Sequence, residues 1–99
     1  MKATEKKAIA LQVLADISAN TTDATAFKVE EKTSEYGEYI YILPDKDRRR
    51  LANRNFPCFE SFYHIDEVAA ICKAIGARSW VRAEQDADKD NVVVCTIVF

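Results

Sequence analysis

Glycine and histidine are scarce in this 99-residue chain, which contains two glycines and one histidine. Two glycines cannot build the glycine-rich loop through which many enzymes hold phosphate groups. The single histidine, His64, leaves no recognisable set of nucleophile, base and third group for covalent catalysis. The carboxylates are not paired in a pattern typical of an apolar active-site pocket. The sequence therefore predicts a protein that is not an enzyme and that uses no cofactor.

Long hydrophobic runs are also missing from the chain. No stretch approaches the roughly 18 apolar residues of a membrane span, and the first 18 residues lack the apolar core and cleavage site of a secretory signal. The three cysteines are odd in number and irregularly spaced, which fits reduced thiols better than a disulfide framework. We therefore expect a cytoplasmic protein that does not bind a membrane.

The composition is that of an ordinary globular protein. Hydrophobic residues make up 48% of the chain and charged residues 30%, so disorder is not expected away from the ends. A chain of this size buries roughly two thirds of the surface that it exposes when unfolded, enough for a core without metal or disulfides. We expect one domain over residues 1–99. The formal net charge of −2 argues against a surface devoted wholly to nucleic acid but allows a local basic patch.

Hydrophobic periodicity predicts two main helices. In the clearer one, apolar residues recur every three or four positions from Ile65 to Ile75, and Gly76 follows where a left-handed residue ends a helix. In the first helix a similar stripe continues to Ala19, and Thr4 is expected to cap its start. The predicted elements, in residue numbers, are a helix over 5–19, strands over 26–32 and 38–43, a short fraying helix within 45–55, a short edge strand over 56–64, a helix over 65–75 and strands over 78–84 and 91–99.

This α-β-β-(β)-α-β-β order predicts an α+β fold. We expect a two-layer sandwich in which two helices cover one face of an antiparallel sheet of four to five strands. The last strand is rich in β-branched residues on both faces, so it should lie inside the sheet. The two α-β-β halves suggest an internal duplication, although any two-layer α+β domain would show a similar alternation.

The most basic stretch of the chain is the arginine run, defined as Arg48, Arg49, Arg50 and Arg54. Guanidinium groups fork onto phosphate oxygens, and neighbouring asparagines could read base edges, so the run is a candidate nucleic-acid contact. A solvated surface connection explains the same residues.

Aromatic residues form a second candidate site. Tyr39 and Tyr41 alternate along one predicted strand and Trp80 lies on another, while Tyr36 precedes the first of these strands. Aromatic side chains on an open sheet face anchor protein interfaces or stack on bases. If Tyr39 and Tyr41 lie opposite the helices, we expect a protein interface or a homodimer. If they lie under the helices, they are core residues.

Acidic residues in the last loop resemble part of a calcium site. Asp86, Asp88 and Asp90 match the first three ligand positions of a calcium-binding loop. The match fails further on, where Asn91 replaces the turn glycine and Ile97 replaces the bidentate glutamate. We expect a polar hairpin loop and no bound metal.

Cysteine and histidine together give little support for chemistry. The spacing of Cys58, His64, Cys72 and Cys95 fits no zinc pattern. Cys72 and Cys95 lie in apolar periodic stretches, where cysteine behaves as a small hydrophobic residue. Cys58 and His64 are the one pair that could support covalent chemistry.

From these observations we expect a small interaction module. It would bind a protein partner, or a second copy of itself, through a face or an edge of the sheet, with Tyr39, Tyr41 and Trp80 as the contacts. The alternative is a nucleic-acid-binding accessory protein that uses the arginine run.

Overall fold

Two helix–strand–strand units account for most of the described chain. The computed structural model describes residues 1–21, 25–52, 62 and 64–99. Its elements are α1 (Ala3–Ala19), β1 (Phe27–Ser34), β2 (Gly37–Pro44), α2 (Lys46–Ala52), α3 (Ile65–Ile75), β3 (Arg78–Gln85) and β4 (Asn91–Val98). The predicted α+β class is confirmed.

The four strands form one antiparallel sheet in the order β1-β2-β4-β3. The hairpins β1–β2 and β3–β4 meet along β2 and β4, where Ile40 pairs with Ile97 and Ile42 with Cys95. The expected interior position of β4 is therefore confirmed. The edge strand predicted over 56–64 lies mostly outside the described residues.

The helix ends show where local signals were correct and where they were not. Gly76 has a φ of 72° in the left-handed region and closes α3 as predicted, because a residue without Cβ adopts this conformation at little cost. The cap predicted at Thr4 is wrong. The Lys2 carbonyl accepts a 3.0 Å hydrogen bond from the Lys6 amide, so α1 begins earlier and Thr4 falls inside its first turn. None of the described helices is long and apolar enough to cross a bilayer.

The hydrophobic core lies between the helices and one face of the sheet. In α1 the buried residues are Ala10 and Leu14, and in α3 they include Val68 and Cys72. Because successive strand residues point to opposite faces, the sheet contributes alternate positions to this core. These positions are Phe27, Ile40, Ile42, Cys95 and Ile97. Full burial of one large aliphatic or aromatic side chain stabilises the fold by about 1.5–3 kcal/mol, so this face fixes the register of the sheet.

Candidate binding face

The strand register places the predicted aromatic residues on the side of the sheet away from α1 and α3. Ile40 and Ile42 point into the core, so Tyr39 and Tyr41 point to the other side. We call this side the open face. Its residues are Lys28, Glu30 and Lys32 on β1, Tyr39, Tyr41 and Leu43 on β2, Val92, Val94, Thr96 and Val98 on β4, and Arg78, Trp80, Arg82 and Glu84 on β3.

Three aromatic rings border β4 on the open face. On one side, the rings of Tyr39 and Tyr41 lie 5.4 Å apart between centroids and are tilted by 60°. On the other side is Trp80, which is 47% exposed. Thr96 lies between them, because it pairs with Tyr41 on β2 and with Trp80 on β3. The structure therefore brings three of the four predicted aromatic residues to one surface, while Tyr36 lies in the turn between β1 and β2.

Cations flank the ring of Tyr41. Lys32 Nζ lies 5.7 Å from the ring centroid, and Arg82 Cζ lies 5.4 Å from it. Arg82 also donates a 3.0 Å hydrogen bond from Nε to Glu84. Its hydrogen bonds to Tyr41 and to Glu84 raise the pKa of the Arg82 guanidinium. Because Arg82 is on β3 and Tyr41 is on β2, the Arg82 side chain extends across β4.

The small residues of β4 form the bottom of a shallow trough between these rings. Val94 and Thr96 are buried although they belong to the open face, because the longer side chains of β2 and β3 rise on either side. Thr96 is 3% exposed, and its Oγ1 makes no hydrogen bond within the described part of the chain. A buried hydroxyl without a partner is unfavourable, and a ligand could reach this one only if a covering side chain moved aside.

The open face is basic although the whole chain is acidic. Four cations and the two carboxylates of Glu30 and Glu84 leave it at +2, against −2 for the chain. Both carboxylates are paired on the face itself, Glu30 with Lys32 at 3.4 Å and Glu84 with Arg82 at 3.0 Å. The four cations are Lys28, Lys32, Arg78 and Arg82.

One end of the open face is acidic instead. A cavity of about 440 Å³ lies there, between the sheet, the start of α2 and the β3–β4 loop. Lys46 binds the carboxylates of three loop residues, with its Nζ 2.5 Å from Asp90 and 3.3 Å from Asp88, and also contacts Asp86. These contacts, with Asp86 the largest cause, raise the pKa of Lys46 and lower the pKa of Asp86. Lys46 thus holds the predicted polar loop against α2. Sequence patterns could not predict this pairing, because Lys46 lies at least 40 positions from the three aspartates.

The arginine run does not form one exposed patch. Arg48 donates hydrogen bonds to the Ser18 hydroxyl at 3.0 Å and to the Ser18 carbonyl at 2.9 Å, and it also donates to the Thr21 carbonyl. Arg49 is 1% exposed, and its Nε donates to the Ala26 carbonyl at 2.5 Å.

The other two members of the arginine run are Arg50 and Arg54. Arg50 is exposed on α2, and Arg54 lies outside the described residues. Successive residues of a helix point in different directions, which separates Arg50 from its two neighbours. The first two arginines of the run therefore hold α2 against the end of α1 and the start of β1.

His64 and the cysteines are placed as structural groups. The ring nitrogens of His64 lie 2.8 Å from Glu67 Oε1 and 3.0 Å from the Thr25 carbonyl, which ties the start of α3 to the segment before β1. Cys72 and Cys95 are free and buried. Burial raises the pKa of both thiols, that of Cys95 to about 12. The proposed partner of His64, Cys58, lies outside the described residues.

Comparisons with protein-family models, with curated proteins and with solved structures returned no match. The function is therefore argued from the geometry and charge of the open face.

Proposed function

We propose that this protein is a small interaction module that binds a macromolecular partner through the open face. The observation that carries this proposal is the position of Tyr39, Tyr41 and Trp80 on the sheet face opposite the helices. Aromatic side chains provide large contact areas at small entropic cost and dominate the energetics of many interfaces. The proposal does not require catalysis.

The thiol chemistry supports placing the module in the cytoplasm. Cys72 and Cys95 are both free, as expected in a reducing compartment.

A nucleic-acid contact through the arginine run is less well supported. The donors of Arg48 and Arg49 are bonded to Ser18, Thr21 and Ala26 within the domain. Among the described members of the run, Arg50 is the one that solvent reaches freely.

The proposed function is tested by immobilising three forms of the protein and comparing the molecules that each form captures from a cell extract. The forms are the wild type, a double variant Tyr39→Ala/Trp80→Ala, and Tyr36→Ala. Tyr36 is the matched control because it is 90% exposed but lies in the β1–β2 turn. We expect the same specific partner on the wild type and on Tyr36→Ala, and its loss from the double variant with unchanged circular dichroism. Equal retention by all three forms would contradict the proposal.

Light scattering of the purified protein separates self-association from binding of another molecule. A dimer mass at tens of micromolar that reverts to a monomer in the double variant would make the second copy the partner.

A further inference from the structure

We infer that the partner of the open face is a single-stranded nucleic acid, whose bases stack on Tyr39 and Trp80 and whose phosphates contact the surrounding cations. This inference rests on the proposed function of the open face. It differs from the arginine-run hypothesis because the contacts lie on the sheet and not on α2.

Charge is the first argument for a polyanion. The open face carries +2 on a chain of −2, which concentrates positive potential where the aromatic rings are. Arg78 forms no ion pair with any described residue, so its charge is available to phosphates, whereas Lys28 lines the acidic cavity. The acidic β3–β4 loop at one end of the open face repels phosphates. It would direct a single-stranded nucleic acid toward the opposite end, where Lys32, Tyr39 and Arg78 lie.

The arrangement of the rings is the second argument. Proteins that bind single strands combine a basic surface with aromatic side chains on which successive bases stack. Tyr39 and Trp80 stand on opposite sides of β4 and are offset by two residues along it, which places them about 12 Å apart, so they offer two separate stacking positions. Tyr41 has a different role, because its ring is already flanked by Lys32 and Arg82. Tyr41 holds these two cations near the path of the bound nucleic acid.

Thr96 supplies the third argument. Its hydroxyl lies between Tyr41 and Trp80, is buried, and has no hydrogen-bond partner among the described residues. The hydroxyl can donate to or accept from a base edge or a ribose 2′-hydroxyl. A base stacked on Trp80 would satisfy it once the side chains that cover Thr96 move aside.

The size of the open face argues against a second copy as the partner. Its four strands, spaced about 4.8 Å apart and about 27 Å long, give an area of about 500 Å². This projected area places the open face at or below the small end of stable protein interfaces, which bury about 600–1,000 Å² of accessible surface on each partner. Two basic open faces would also repel each other. A duplex fits poorly as well, because its base faces are stacked on one another and cannot reach the rings.

Fluorescence anisotropy tests this inference directly. The probes are labelled single-stranded DNA and RNA of about 12 nucleotides and the duplex of the same DNA sequence. We expect the single strands to bind more tightly than the duplex. With about three phosphate contacts, affinity should fall about 20-fold between 50 mM and 200 mM salt. Tighter binding of RNA than of DNA would indicate a contact to the 2′-hydroxyl.

Matched variants locate the contact. Tyr39→Ala and Trp80→Ala should each weaken single-strand binding about 5- to 150-fold, while Trp80→Phe should retain most of the affinity and Tyr36→Ala all of it. Arg78→Glu removes a cation on an edge strand without touching the core and should also weaken binding. Arg50→Glu, on α2, should have little effect.

The outcomes separate this inference from the proposed function. Absence of single-strand binding at low salt, or binding that survives Tyr39→Ala and Trp80→Ala but is lost in Arg50→Glu, overturns the inference. If the double variant nevertheless loses a protein from the extract comparison, the open face remains a binding surface with a protein as its partner.

Discussion

Replacing Arg48 by methionine should destabilise the domain without changing its open face. The Arg48 guanidinium donates hydrogen bonds to the Ser18 hydroxyl, the Ser18 carbonyl and the Thr21 carbonyl. Ser18 lies in the last turn of α1, where the helix dipole favours a positive charge. Methionine keeps much of the aliphatic bulk of the arginine but removes the charge and all the donors.

The expected loss follows from these contacts. A net value of about 1 kcal/mol for each of the three hydrogen bonds, together with about 0.5 kcal/mol for the charge at the helix end, gives about 3.5 kcal/mol. The carbonyls freed by the substitution are partly buried, so solvent can replace only part of this loss. For a domain of this size, 1 kcal/mol lowers the melting temperature by about 4–8 °C. We therefore expect a decrease of at least about 14 °C.

Thermal and urea unfolding followed by circular dichroism measure the effect. The matched control is Arg50→Met, which removes the same charge from an exposed position of α2 and should change stability by less than about 0.5 kcal/mol. If Arg48→Met unfolds at the same temperature as Arg50→Met, the assignment of Arg48 to an internal contact is refuted. The arginine run would then again be a candidate nucleic-acid contact.

Three further predictions concern the loop, the end of α3 and the thiols. Asp86 has a lowered pKa in the folded protein, so the unfolded chain binds more protons in acid. The free energy of unfolding should therefore decrease as the pH drops below about 4. Unfolding measured at several pH values should show a smaller decrease in Lys46→Met than in the wild type. Gly76→Ala places a Cβ in a left-handed conformation and should cost about 1–2 kcal/mol in urea unfolding, with Gly76→Asn costing less; an unchanged midpoint would contradict this assignment. Cys72 and Cys95 have raised pKa values through burial, so a thiol reagent near pH 8 should modify them only after unfolding. Rapid labelling of either residue in the native protein would show that the core is more open than described.

Much of the fold could be predicted because local patterns and tertiary packing agree. The apolar spacing of α3, the stop at Gly76 and the β-branched character of β4 each lead to the element that the structure contains. The strand order could not be predicted. It depends on pairs such as Ile40 with Ile97, which lie far apart in the chain and are selected by a core that both halves share.

The candidate site was predicted only in part. Alternation showed that Tyr39 and Tyr41 share a face, but which face the helices cover depends on packing that a strand's own sequence does not encode. The basic contribution of Arg78 and Arg82 was missed, because neither residue stands in a charged run. Conversely, the closely spaced arginines of the arginine run predicted a nucleic-acid contact, although Arg48 donates its hydrogen bonds inside the domain.

The most direct test of the open face as the binding surface uses Trp80, the only tryptophan of the chain. Its fluorescence can be quenched by acrylamide because the side chain is about half exposed. At a concentration of single-stranded oligonucleotide that saturates the anisotropy signal, we expect Trp80 to become clearly less accessible to acrylamide. Saturated binding with unchanged quenching of Trp80 would place the oligonucleotide elsewhere on the protein and would contradict binding at the open face.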